Sequence, residues 1–352
     1  MQKKPIDLLR GMDRSLRVTG IGSLPFINED EACDLVLKYC PDIPYVPQLT
    51  KRDPKENMFL QFAENLPCVT KDYKKKSVFY NESKDREKCM AEFYDYIAHD
   101  CYDYFKISSE YLKSFYPMLE KCRGRDNPFV KVQITGPITY LISLTKKDKQ
   151  SMIFDDEFAE AVTLGLAMKG LWQVQEVKKI GKVPLLFFDE PSLWGLGSAY
   201  LAVSDEKVSF LIGSFIDFIR ERENDIILGL HCCGNTNWRI VLDLGIDILS
   251  FDSYSFGKKL ALYPDGVKNF LKRGSFLSFG LVPTAEYKEG ITEEELYKKF
   301  LSVLEKFEKE GISKKDILKS IIFTPACGMG TMSNEESKRV FKLTESLAKR
   351  IK

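Results

Sequence analysis

Short apolar runs alternate with longer amphipathic segments along most of this chain. The runs lie at residues 18–24, 44–48, 129–135, 183–189, 226–231, 247–252, 275–282 and 320–324. Several are apolar throughout, which is typical of strands covered on both faces of a parallel sheet. The segments between them, for example 156–180, 204–223 and 293–310, are long enough to be crossover helices. Eight strands that alternate with helices predict an α/β protein with a (β/α)8 TIM-barrel fold.

The length of 352 residues fits one such barrel with additions. We therefore predict a single TIM-barrel domain over residues 1–352, with its barrel core at 18–330. The stretch at about 50–125 is longer than a simple crossover needs, and it is rich in aromatic and charged residues. It predicts a helical or hairpin insertion after the second strand region, lying over one end of the barrel.

The charge balance limits the partners that this chain is expected to bind. With 52 Lys and Arg against 51 Asp and Glu, its net charge is +1, which argues against nucleic acid and against a polybasic membrane patch. No run reaches the ~18 apolar residues of a membrane span, and the first residues lack a signal-peptide core. Nine cysteines at irregular spacings fit a reducing compartment. We therefore expect a cytoplasmic protein that binds neither nucleic acid nor membrane.

Polar and metal-binding side chains collect where the predicted strands end. They are Ser23, Gln133, Thr135, Asp189, Glu190, His231, Cys233, Asp252 and Cys327. The carboxyl ends of barrel strands meet at one rim, and barrel enzymes build their catalytic sites there. This placement favours an enzyme.

Four of these residues predict a metal site. His231 and Cys233 are two residues apart on a strand, so their side chains share one face while Cys232 points away. Cys327 follows the last strand in a glycine-rich loop and supplies a third donor, and Asp252 ends the intervening strand as the oxygen candidate. Nitrogen and sulfur donors of this kind suit Zn²⁺, and three protein ligands with an open fourth position describe a catalytic zinc.

The same residues are also compatible with purely structural roles. A histidine beside cysteines is also compatible with a core histidine among small hydrophobes. Asp252 is equally suited to cap a helix or to orient His231 from outside the metal's ligand shell. Asp189 is alternatively a core acid that orients a loop.

At these motifs the chain resembles the catalytic half of cobalamin-independent methionine synthase. The resemblance rests on His231-x-Cys233, an acidic residue ending the next strand, and the Pro325-Ala326-Cys327-Gly328 loop. It also rests on Thr19-Gly20-Ile21-Gly22-Ser23-Leu24-Pro25, Ile134-Thr135-Gly136-Pro137 and Asp189-Glu190-Pro191. In this order the blocks cover most of the chain, from about residue 18 to 330. The wider superfamily also contains uroporphyrinogen decarboxylase and zinc methyltransferases that use corrinoid proteins.

The resemblance implies a methyltransferase that activates a thiol on zinc. In the family the thiol is homocysteine, and its methylation gives methionine. The Ile-Gly-Ser segment holds the amino-acid carboxylate, which implies that role for Ile21 and Ser23. The aspartate of the Asp-Glu-Pro block contacts the amino group, which implies that Asp189 serves the substrate and the catalytic site.

This chain departs from the family pattern at several positions. The family's acidic zinc ligand is Glu, whereas the residue here is the shorter Asp252. The catalytic histidine after the seventh strand has no counterpart, so Glu286 or a water would carry any proton transfer there. Glu56 is the nearest match for the glutamate that binds the substrate amine, and Trp194 and Tyr254 are expected to line the pocket.

The identity of the methyl donor is inferred from the length of the chain. Full-length methionine synthases carry a duplicated N-terminal barrel that helps bind methyl-folate, and 352 residues leave no room for it. A methyl-corrinoid, free or on a corrinoid protein, is therefore favoured beside methyl-folate. Two alternatives to the methyltransferase remain. One is a uroporphyrinogen decarboxylase-like enzyme, which needs no metal and holds propionates with arginines; the other is a non-catalytic metal- or corrinoid-binding accessory protein.

Overall fold

The computed structural model describes residues 4–196, 202–285 and 287–351, and its centre is a curled parallel sheet of six strands. The strands are β1 (Val69–Asp72), β2 (Ser77–Tyr80), β3 (Phe129–Thr135), β4 (Val183–Asp189), β5 (Ile227–Cys232), β6 (Ile248–Phe251), β7 (Phe276–Val282) and β8 (Ile321–Pro325). The sheet has the order β3-β4-β5-β6-β7-β8, whereas β1 and β2 form a separate antiparallel pair. The α/β prediction is confirmed, and six of the eight predicted strands form within one or two residues of their expected bounds.

Helices surround the sheet and connect its strands. They are α1 (Pro5–Gly11), α2 (Glu29–Tyr39), α3 (Arg86–Ala98), α4 (Phe115–Cys122), α5 (Pro137–Ser143), α6 (Asp156–Lys179), α7 (Asp205–Arg222), α8 (Trp238–Asp243), α9 (Ser253–Leu260), α10 (Pro264–Lys272), α11 (Glu293–Lys309), α12 (Lys314–Lys319) and α13 (Asn334–Arg350). None of the described helices combines the length and apolar character needed to cross a membrane.

The eight-stranded barrel of the prediction is not formed, because the first two predicted strands are not regular strands. Residues 18–24 and 44–48 are extended segments that pair only at single positions: Val18 with Phe323, Ser23 with Gln48, and Tyr45 with Lys131. The physical reason is their composition. Prolines at both ends of the second segment cannot donate to a ladder, and glycines in the first weaken a strand. The two segments still lie between β8 and β3, the edge strands of the sheet.

The long helix α6 illustrates how local sequence signals determine the helices that cover the outer face of the sheet. Its N-cap Asp155 accepts a hydrogen bond from the amide of Phe158, and Lys178 and Lys179 lie in its last turn, opposite the acidic first turn. Most of its length is buried against β3 and β4. All residues of β3 and β5 are buried as well, since side chains inside the curl of the sheet cover one face and helices cover the other.

The stretch at about 50–125, for which a helical or hairpin insertion is predicted, contains a hairpin and two α-helices. The β1–β2 hairpin is followed by α3 and α4, which pack on α6 and α2 respectively. The aromatic residues of this stretch build its packing: the rings of Tyr96 and Tyr104 stack with centroids 3.7 Å apart, and Phe93 meets Phe105 edge-on.

Candidate metal centre

Three potential metal ligands come together at the carboxyl end of the sheet. The donor atoms of His231, Cys233 and Cys327 all lie within 4.8 Å of one another. His231 is near the end of β5, Cys233 follows that strand directly, and Cys327 follows β8 on the far side of the curled sheet. The curl of the sheet brings these ends together, although about 95 residues separate the two cysteines.

The register of the sheet aligns a row of polar residues with His231. Asp189 of β4 and Ser250 of β6 are its direct neighbours on the adjacent strands. The Nδ1 atom of His231 lies 3.0 Å from the hydroxyl oxygen of Ser250, whereas its buried Nε2 atom has no hydrogen-bond partner. With Nδ1 protonated and donating to Ser250, the lone pair of Nε2 is free for a metal ion.

The two thiols of the triad lie close enough to influence each other. Interaction with Cys327 and with His231 lowers the pKa of Cys233 far below that of an ordinary thiol, against the opposing effect of burial, and interaction with Cys233 raises the pKa of Cys327. Cys232 is fully buried in the apolar layer outside the sheet, where burial raises the pKa of its thiol. The alternation of side chains along β5 thus separates a polarised thiol from an inert one, as the sequence predicts for Cys232.

The loop that carries Cys327 is fixed to the segment that carries Ser23. The amide of Met329 donates to the carbonyl of Ser23 at 2.8 Å, and the amide of Gly330 donates to its hydroxyl at 3.1 Å. A Cβ atom at Gly328 would overlap the hydroxyl of Ser23. Only glycine therefore allows the two segments to approach this closely.

Asp252 lies beside this centre but serves first as a helix cap. Its carboxylate accepts a 2.8 Å hydrogen bond from the amide of Ser255 at the start of α9. Burial raises the pKa of Asp252, and the negative Cys233 raises it further. Among the described residues, the close donor triad consists of His231, Cys233 and Cys327 without Asp252. One carboxylate can cap a helix with one oxygen and offer the other elsewhere.

Asp189 offers an unpaired carboxylate oxygen next to the triad. Its Oδ1 atom is buried and has no hydrogen-bond partner. Burial raises its pKa, and the neighbouring His231 and Lys131 partly oppose that effect. A buried carboxylate without a partner is costly to maintain, so this position favours a cationic ligand group.

Both carboxylate oxygens of Glu190, the next residue, are hydrogen-bonded within the protein. Its carboxylate accepts hydrogen bonds from the amides of Ile138 and Thr139, at 2.9 and 2.8 Å, and from the Thr139 hydroxyl at 2.7 Å. Burial raises its pKa to about 7. It anchors the first turn of α5, and Asp189 alone of the Asp-Glu pair has an oxygen free.

The segment containing Ile21 and Ser23 presents unused backbone amides. The amides of Ile21, Gly22 and Ser23 make no hydrogen bond to any described residue. The ammonium of the buried Lys131 donates to the carbonyl of Ile21 at 2.5 Å, which fixes the segment from inside the curl of the sheet. Three consecutive amides are thereby left available as donors to a ligand. Sequence reasoning missed Lys131 because a lysine in a strand ordinarily points to solvent.

Other predicted pocket residues have partners elsewhere. The buried Glu56 pairs with Arg52 at 2.7 Å and accepts from the amide of Leu49. Tyr254 lies on α9 with the ammonium of Lys299, from α11, 5.1 Å from its ring centre. Trp194 is 58% exposed and its Cβ lies against Gly234, the residue after Cys233. Glu286 lies outside the described residues.

These donors fit the zinc that the sequence predicts. A buried imidazole nitrogen without a partner and two adjacent thiols, one of them strongly acidified, are the ligand types that Zn²⁺ selects. His231 lies on β5, the two cysteines closely follow β5 and β8, and the second ring nitrogen of His231 is already held by Ser250. The arrangement suits a metal with three protein ligands.

Comparison with known proteins identifies the fold. No family model and no curated protein matches this chain. Among solved structures, it is similar to a B12-independent methionine synthase from Shewanella sp. W3-18-1 in complex with selenomethionine, with a TM-score of 0.55 and 14% identity over 96% of this chain and 97% of that one. It is also similar to a Listeria monocytogenes protein assigned as a vitamin-B12 independent methionine synthase, with a TM-score of 0.55 and 17% identity over 92% and 86%. The chain therefore shares the fold of methionine synthases.

Proposed function

We propose that this protein is a zinc-dependent methyltransferase that transfers a methyl group to the thiol of homocysteine and forms methionine. The observation that carries the proposal is the triad of His231, Cys233 and Cys327, whose donor atoms lie within 4.8 Å of one another. The methionine-synthase fold and the position of the triad at the carboxyl ends of the strands support it.

In this proposal the three residues hold the zinc, and Asp252 is the oxygen candidate for a weakly held fourth position, which the substrate thiol would take over. A bound zinc ion would lower the pKa of a thiol ligand, so that a thiolate is present at neutral pH. Ser250 keeps the imidazole of His231 in the tautomer that leaves Nε2 available. Gly328 and Ser23 keep Cys327 over the barrel mouth.

The remaining groups match the two ends of an amino acid. The unpaired oxygen of Asp189 would accept from the ammonium, and the amides of Ile21, Gly22 and Ser23 would donate to the carboxylate. In this proposal the amino acid lies across the opening, with its side chain toward the thiols. The similar structure from Shewanella holds selenomethionine, which is an amino acid of the kind that this reaction would produce.

The methyl donor is proposed to be a methyl-corrinoid or a methyl-folate. A donor is required to approach the thiol in line from the open side of the rim, where Trp194 is exposed. Glu286, which follows β7 in the sequence and lies outside the described residues, is the proposed proton acceptor.

Zinc content is the first test. Protein purified without chelator should contain about one zinc per chain, and Cys233→Ala and Cys327→Ala should lose it. Cys101→Ala is the matched control, because Cys101 lies in the insertion and is outside the triad. A folded wild-type protein that contains no zinc and takes up none when it is added would overturn the proposal.

Activity is the second test. Homocysteine is incubated with each methyl donor, and methionine is measured by mass spectrometry. Methionine formation that requires zinc supports the methyltransferase. A zinc-loaded protein that forms no methionine with either donor contradicts it and favours the non-catalytic, metal-binding alternative.

A further inference from the structure

A wide groove lies at the end of the sheet opposite the proposed metal centre. Its walls come from the segments that lead into three parts of the sheet: residues 10–17 before the first extended segment, 268–274 before β7, and 312–320 before β8. The volume is about 1690 Å³, larger than the ~300–1,000 Å³ of an ordinary small-molecule pocket. An occupant of this groove would therefore be extended.

The groove concentrates positive charge. Its basic lining residues are Arg10, Arg14, Arg17, Lys268, Lys272, Arg273, Lys314, Lys315 and Lys319, and its acidic ones are Asp13, Glu308 and Asp316. Nine basic residues against three acidic ones give a strong local excess in a chain whose net charge is only +1. Such an excess creates a field that attracts anions.

Most of these cations have no ion pair within the described protein. Arg10 forms an ion pair with Asp7, and Arg273 donates to the carbonyl of Leu244 at 2.6 Å. Six others have no ion pair with any of the described residues: Arg14, Lys268, Lys272, Lys314, Lys315 and Lys319. What distinguishes the groove is that these cations are gathered in one concave surface with few acidic residues beside them.

Arg17 forms the floor of the groove. It is 3% exposed, and its two terminal nitrogens donate to the carbonyls of Lys319, Arg10 and Met12 at 2.7–2.9 Å. Its Nε atom is buried and has no hydrogen-bond partner. Burial, with a smaller effect of the neighbouring Arg14, lowers its pKa to about 10, while Asp13 acts in the opposite direction. The guanidinium is therefore held rigidly by carbonyl groups beneath the exposed cations and adds its charge to theirs.

We propose that this groove binds an extended ligand that carries several phosphate groups, such as an oligophosphate chain. Lysine and arginine are the residues that bind phosphate oxygens, and the unpaired cations line the groove on both sides. The lining contains no Phe, Tyr or Trp, so it has no platform on which nucleic-acid bases would stack. The ligand is therefore recognised through its phosphates. This site is separate from the metal centre.

Calorimetric titration of the zinc-loaded protein with inorganic tripolyphosphate tests the proposal. We expect one molecule bound per chain with a Kd below about 100 µM at about 0.1 M salt, and weaker binding as salt is raised. The variant Lys272→Gln/Lys315→Gln should bind at least about tenfold more weakly. The control variant Lys74→Gln/Lys88→Gln removes two exposed, unpaired lysines of the insertion and should bind as the wild type does. Zinc content and Tm verify that each variant is folded.

Three further ligands fix the identity of the occupant. Orthophosphate should bind far more weakly than tripolyphosphate, because it reaches fewer cations. An oligoglutamate of similar charge tests carboxylates, and a short single-stranded oligonucleotide tests nucleic acid. The proposal is overturned if tripolyphosphate fails to bind, if the groove variant binds as the wild type does, or if either of the other polyanions binds more tightly than tripolyphosphate.

Discussion

His231 and Ser250 form a side-chain hydrogen bond of 3.0 Å between two neighbouring strands of the sheet. The two residues are direct partners in the register of β5 and β6, so the backbone fixes their separation. The bond occupies Nδ1 of the imidazole and leaves Nε2 without a partner, beside the two thiols. The parallel sheet thereby orients the proposed metal ligand through a residue outside the triad.

Replacing Ser250 by Ala should therefore weaken zinc binding without unfolding the protein. Loss of such an orienting partner typically costs about 10- to 100-fold in metal affinity. Competition with a chromogenic chelator measures the affinity. Ser278→Ala is the control, since Ser278 is the next residue in the same row but bonds to Thr324 instead. Equal losses in both variants would contradict the assigned role of Ser250.

Asp252→Asn separates the metal role of Asp252 from its role as a helix cap. Asn is as good an N-cap as Asp, so Tm should remain within about 2 °C of the wild type. A carboxylate ligand is lost, so zinc affinity should fall by about tenfold or more. Asp252→Ala should lose the affinity and about 1 kcal/mol of helix stability together. Unchanged zinc affinity in Asp252→Asn would leave Asp252 as a cap only.

Asp189→Asn should reduce recognition of the amino acid and leave the metal in place. The substitution keeps the shape but removes the charge that would face the ammonium group. We expect KM for homocysteine to rise about 10- to 100-fold, because a charge-assisted hydrogen bond is lost. Zinc content should stay at the wild-type level. A variant that loses zinc, or one that keeps the wild-type KM, would refute this assignment.

Gly229→Ala tests the close packing inside the curled sheet. A Cβ atom at Gly229 of β5 would lie 2.5 Å from ring atoms of Phe187 on β4, so the ring must move. Overpacking of this kind should lower the free energy of unfolding by about 1–3 kcal/mol. Gly213→Ala is the control, because nothing lies within 4 Å of a Cβ atom there and the residue is in the middle of α7. It should raise the free energy of unfolding by about 0.5–1 kcal/mol. Urea denaturation measures both variants.

Lys169 makes stability depend on pH. Its ammonium lies buried on α6 without a hydrogen-bond partner, and burial lowers its pKa from 10.5 to about 7. Between these two values the unfolded chain binds a proton that the native protein does not, so this residue makes stability rise with pH across that window. Lys169→Met should remove that contribution.

The variant should accordingly be more stable than the wild type at pH 7, by an amount on the order of 1–3 kcal/mol. The difference should shrink as the pH approaches 10. Urea denaturation of both proteins at several pH values measures it. A difference that does not change with pH would show that the ammonium is paired in solution.

Periodicity in the sequence predicts the central sheet well, because its strands are buried on both faces. The bounds of β3 and β4 agree with the prediction to the residue, and β5 differs by one position. The two first strands were predicted from the same apolar character, but glycine and proline limit them to single pairings. An apolar run shows that a segment is buried, whereas the backbone donors along it decide whether it forms a ladder.

The candidate site likewise combines features that are local in the sequence with features that depend on the folded chain. The two-residue spacing of His231 and Cys233 on a strand is a local property, so it can be predicted from the sequence. The contacts of Ser250 and Lys131 depend on the register between strands and on the curl of the sheet, which single-sequence patterns do not contain. The same applies to Glu56, whose paired arginine and amide partner are seen only in the folded chain.

The pairing of the first extended segment with β8 has a consequence for how this protein forms. Arg17 bonds to the carbonyl of Lys319, 302 residues further along the chain, and the amide of Thr19 bonds to the carbonyl of Phe323. Closing a loop of that length costs about 5 kcal/mol in chain entropy, and contacts this distant in sequence form slowly. During synthesis the segment around residue 18 leaves the ribosome early. It stays unpaired until the residues near 323 have also emerged. Cys327 comes only four residues later, so the two parts of the site are joined in the same late step.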